Sequence, residues 1–128
     1  MTQDKESGAK ASHWGHATAQ KIAARIGATI PKGKSNECLY EGKRVVIKCA
    51  ALQTDSVGIT YLMMNRVSDV VGAFQLEDGA FDLWVLPVSF VKASMRPTAS
   101  KGAAAGKVGI VKRDVFLKNG KNLQRVNL

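Results

Sequence analysis

Long apolar runs, acidic residues, cysteine and histidine are all scarce in this chain of 128 residues. No stretch approaches the roughly 18 apolar residues that a membrane-spanning helix requires. The opening MTQDKESGAKAS is polar and lacks the apolar segment of a secretory signal. The chain is therefore expected to be soluble and cytoplasmic. Its two cysteines, Cys38 and Cys49, make neither a disulfide framework nor a CxxC metal pair. Its two histidines, His13 and His16, flank Trp14 near the N-terminus. Their spacing puts them on one helical face, but no further ligand lies near in sequence, so a surface or packing role is the expectation rather than zinc. Without a placed histidine or an activated cysteine, acyl transfer has little to build on.

Ten acidic residues face nineteen basic ones, for a net charge of +9. That charge is unevenly spread. Residues 1–35 are net +4, residues 36–91 net −3, and residues 92–128 net +8. Segregated positive charge of this kind points to a polyanionic partner, most often nucleic acid. A generally basic protein, or a small regulator that binds an acidic protein surface, would show the same division.

The apolar pattern supplies the elements. Residues 1–11 are expected to form a flexible arm. Ala19, Ile22, Ala23 and Ile26 recur at helical spacing between Ser12 and Gly27. NECLY and KRVVIKCA form a hairpin around Glu41-Gly42. That pairing sets Cys38 opposite Val45, Cys49 opposite Lys34 and Glu37 opposite Val46, so the two thiols are not cross-strand neighbours. ALQTDSVG is expected to be a connection, with Thr54 or Ser56 available as a cap. A second helix is predicted from Thr60 to Gly72, burying Leu62, Met63, Val67, Val70 and Val71. AFQLEDGAFDLWVLP is a hairpin with a two-residue Asp78-Gly79 turn, and VSFVKASM a short helix. RPTASKGAAAGKVG is a small, flexible, basic loop. One or two strands follow, with a turn at Asn119-Gly120. The expected fold is α+β or α/β: one central mixed sheet flanked by helices. Residues 12–95 form its core, and residues 96–128 add a basic loop and C-terminal strands to the same domain.

Two stretches invite chemistry. GAAAGKV, from Gly102, is one residue short of a phosphate-binding GxxxxGK, and Val108 replaces the hydroxyl that would hold magnesium. This loop suits phosphate-backbone contact instead, through Arg96, Lys101 and Lys107. In the hairpin, Glu37 and Lys48 are diagonal neighbours on one face. A carboxylate there can hold Mg2+, and a lysine beside it can activate water or stabilise charge on a phosphate. A structural cross-strand ion pair is the plain alternative.

A helix, then a hairpin whose second strand carries VVIKCA, then a helix and more strands, resembles the restriction-endonuclease-like PD-(D/E)XK superfamily over roughly residues 15–87. The resemblance implies a restriction-endonuclease-like core and Mg2+-dependent cleavage of DNA, with Lys48 as the catalytic lysine. Val46 stands where the strand acid belongs. Glu37 would be the metal-binding acid, with Asp55 and Asp69 as the other carboxylates to consider. Gln20 would match a helical glutamate of some members, and Gln53 would contact substrate or water. Lys34, Arg44, Arg96, Lys101, Lys107, Lys112 and Arg113 would grip the nucleic acid. The expected partner is DNA before RNA, with a homodimer admitted. A non-catalytic DNA- or RNA-binding module is the alternative.

Overall fold

The computed structural model describes residues 5–31, 37–97 and 108–128, with side chains from Trp14 onward, Pro97 excepted. Residues 1–4, Lys34, and the loop with Lys101 and Lys107 lie outside the described residues. In chain order the elements are α1 (Lys5–Ile26), β1 (Glu37–Tyr40), β2 (Lys43–Ala50), β3 (Ser56–Thr60), α2 (Tyr61–Met64), β4 (Asp69–Gln75), β5 (Phe81–Pro87), α3 (Val88–Ser94), β6 (Arg96–Pro97), β7 (Val108–Lys112), α4 (Arg113–Asn119) and β8 (Lys121–Val126).

The α+β class holds, but the sheet is not single. Five strands form a mixed sheet in the order β1-β2-β4-β5-β8, and a separate three-stranded sheet runs β3-β7-β6. α1 covers one face of the large sheet. Its Ala19, Ile22 and Ala23 pack on Cys38, Val45, Ile47, Val71, Ala73 and Leu83. The small sheet and the three short helices cover the other face. There Val57, Ile59, Met64, Val91, Val111 and Phe116 meet Val46, Val70, Phe74 and Leu86.

The first hairpin forms as its turn chemistry dictates. Glu41 and Gly42 both have positive φ, and Glu37 pairs with Val46 and Cys38 with Val45. Four other expectations need correction. α1 starts at Lys5, within the stretch assigned to an arm. The predicted helix 60–72 is one turn, α2, followed by strand β4. Val67, Val70 and Val71 suit either period. The run DVVGAFQ is apolar because β4 is covered on both faces, which hides the alternation of a half-exposed strand. Ser56 lies in strand β3, and the cap is Thr60, whose Oγ1 accepts from the Met63 N–H at 3.1 Å. In the tail, α4 intervenes between the two strands, so Asn119-Gly120 ends a helix.

The second hairpin is shifted by one residue from the expected turn. Leu76 and Ala80 close it, because the Leu76 N–H donates to the Ala80 carbonyl at 2.7 Å. Glu77, Asp78 and Gly79 then form a three-residue loop, with Gly79 at φ 87°. Three-residue hairpin loops place a left-handed residue last, and glycine takes that conformation without strain.

Gly72 lies opposite Lys48 on one side and Trp84 on the other. A Cβ there would meet Phe74 at 2.8 Å and Phe116 at 2.9 Å. The two rings meet edge-on across this gap, centroids 5.3 Å apart. Gly72→Ala should therefore force both buried rings aside and cost about 1–3 kcal/mol. Urea unfolding checks this, and an unchanged midpoint would contradict it.

Candidate functional site

Glu37 and Lys48 lie on the same face of the hairpin, as the register requires, yet they do not pair. Glu37 is only 2% exposed. Its Oε1 lies 3.1 Å from Nη2 of Arg44, and its Oε2 lies 3.3 Å from Nε of Arg66. Arg44 is the other diagonal neighbour of Glu37 along β2. Arg66 follows α2 and arrives from the crossover between β2 and β4. Beside it, Lys92 of α3 reaches Oδ1 of Asn65 at 3.5 Å. Arg66 also approaches the sulfur of Met63 at 3.6 Å.

Lys48 occupies a different place. Within the described residues, β1 pairs with β2 as far as Val46. Beyond it, a cleft of about 250 Å³ opens between α1, β2 and β3, lined by His16, Lys48, Cys49, Ser56 and Gly58 among others. No ion pair with a described residue reaches the Lys48 ammonium. Burial holds that group below the usual lysine value. Burial also pushes the Cys49 thiol up to about 12 and the Cys38 thiol up to about 11. Both thiols are free and stay protonated at neutral pH, so neither is an activated nucleophile.

Glu37 would need further oxygen donors to hold Mg2+. That ion asks for several oxygen ligands in octahedral array. Among the described residues, no three His, Cys, Asp or Glu side chains come together in that way. Asp69 pairs in register with Val45, so it lies on the sheet face opposite Glu37, and its carboxylate accepts from Ser68 Oγ at 2.9 Å. Asp55 is exposed beyond β2, where its carbonyl accepts from the Arg113 N–H. Val46, at the position of the expected strand acid, is 0% exposed in the core.

The remaining expected residues scatter. Gln53 is exposed in the turn after β2, and Gln20 is exposed on α1. Arg96 is exposed on β6, and Lys112 is exposed at the end of β7. Arg113 turns inward: its guanidinium lies over the Phe74 ring at 5.4 Å, and its Nε is buried without a hydrogen-bond partner among the described residues. Arg66 is the residue that sequence reasoning missed. Its charge, within the stretch expected to be the second helix, is the only signal the sequence offers.

The unfolded chain binds the Lys48 proton more tightly than the folded one, because burial lowers the folded value below 10.5. The fold carries this cost in full below the lowered value and sheds it as pH rises toward 10.5. Lys48→Met should accordingly raise the melting temperature at neutral pH, and the gain should shrink as the solution becomes alkaline. Paired thermal melts over that range check this; a gain that does not vary with pH would show that charge is not its source. No protein-family model matches this sequence and no curated protein matches it, so the chemistry of these side chains carries the functional reading.

Proposed function

We propose that the chain is a nucleic-acid-binding protein that holds a phosphate backbone without cleaving it. The observation that carries this reading is the segment around α4. Lys112, Lys118 and Lys121 are exposed at its two ends, and Asp114 is the only acid among them. None of the three lysines is in an ion pair with a described residue. A helix of 7 residues spans about 10 Å. Several backbone charges fall within that span, since duplex DNA carries one per about 1.7 Å of axis. Cations left unpaired in the fold are free to displace counterions from such a polyanion.

The order of helix, hairpin and later strands supports a nuclease-like fold, with Lys48 on the second strand of the hairpin. The environment of Val46 argues against an active metal site on that fold. A carboxylate at this position would be buried among Val70, Leu86 and Phe116 with no route to water. DNA is the partner expected first.

The purified protein should bind DNA at low salt and weaken steeply as salt rises. Lys112→Ala combined with Lys118→Ala should lower the slope of log affinity against log salt by about 2, one unit for each phosphate that the protein no longer neutralises. No divalent metal should produce nicking. Absence of binding at low salt would overturn the reading, and Mg2+-dependent nicking that disappears in Lys48→Ala would restore the nuclease.

A further inference from the structure

Glu37 is a buried carboxylate whose two ion-pair partners on the described surface are half-exposed. Arg44 is 56% exposed and Arg66 42%, against 2% for Glu37. A buried carboxylate paired with arginines is weak evidence of a gain in stability. Taking a carboxylate out of water costs several kcal/mol (roughly) before pairing repays it. Stability is thus a poor reason for this arrangement, and positioning is a better one. Each guanidinium touches Glu37 through one nitrogen. A guanidinium carries five N–H donors in a planar fork, so most of the donors of Arg44 are left over. Among the described residues, two guanidinium groups face this one carboxylate.

We propose that Arg44 and Arg66, held in place by Glu37, form a preorganised seat for a phosphate group. Glu37 is a positioning residue here, not a ligand. It fixes two flexible side chains before the anion arrives, so less rotamer entropy is given up on binding. Planar donors match phosphate oxygens better than an ammonium does. The seat rests on the nucleic-acid reading for its natural occupant, a backbone phosphodiester, but its chemistry would also take free phosphate. It lies at β1 and β2, with Glu37 on the first and Arg44 on the second, whereas α4 packs on β4, β5, β7 and β8. The two groups share no residue, so each can be altered separately.

The test compares oligonucleotide binding by wild type, Glu37→Gln, Arg44→Lys and Arg66→Lys, with thermal melts to confirm folding. Glu37→Gln removes a negative charge, so plain electrostatics predicts tighter binding. Preorganisation predicts the opposite, a loss of about threefold or more. Each Arg→Lys change keeps the charge and should also weaken binding, because the planar fork is gone. Equal or tighter binding by Glu37→Gln, or wild-type affinity in both lysine variants, would overturn the seat. Inorganic phosphate, followed through the guanidinium NMR signals of Arg44 and Arg66, separates the two sources. A shift of those signals in a wild-type protein that binds no oligonucleotide would retain the seat and overturn the nucleic-acid reading. No shift and no oligonucleotide binding would overturn both.

Discussion

β4 is buried on both of its faces, and the rest of the described chain is arranged around that burial. Val70 and Phe74 point to one side, Val71 and Ala73 to the other, and each set lies at the centre of a separate hydrophobic cluster. α1 answers one side with small residues and two isoleucines, Ile22 and Ile26. The other side needs more cover, and it receives the small sheet together with α2, α3 and α4. β4 also runs parallel to β2. Two consecutive parallel strands cannot be joined by a tight turn; the chain must cross over a face of the sheet. β3 and α2 make that crossing. The exit from α2 delivers Arg66 to the surface above Glu37, so a packing requirement places a functional side chain.

The two charges on the hairpin face have different fates for a related reason. Near the hairpin tip, β1 shields one side of β2, and arginines from β2 and from the crossover close over Glu37. Farther along β2, Lys48 borders a cleft. Gly72 lies opposite it because the Phe74 and Phe116 rings occupy the space that a side chain would take. Carboxylate and ammonium thus share a face and not an environment. One is neutralised by neighbours. The other is desolvated without a described counter-ion.

Much of the hairpin region was legible from local rules. The positive-φ pair Glu41-Gly42 sets the register of β1 on β2, and period 2 then places Arg44, Val46 and Lys48 on the face of Glu37. The stripe of α1 was equally plain. β4 was not legible, because a strand buried on both faces loses its alternation and β-branched residues fit helical spacing by chance. The hairpin loop at Glu77–Gly79 was misplaced by one residue, since Asp-Gly suits either a two-residue or a three-residue turn. The inward turn of Arg113 was hidden as well. Its charge suggests solvent, and only the position of the Phe74 ring draws it over the core.

The sequence by itself determined the uneven distribution of charge, a mixed sheet with flanking helices, the apolar stripe of the first helix and the first hairpin with its register. Each depends on neighbours a few residues apart, where spacing and turn chemistry act directly. The tertiary structure decided which diagonal neighbour Glu37 would take, that Arg66 would join it, and that Lys48 would stand apart at a cleft. In register, Arg44 and Lys48 are equivalent partners for Glu37. What breaks the tie is where the crossover lands, and that follows from the covering of β4 by residues distant in the chain.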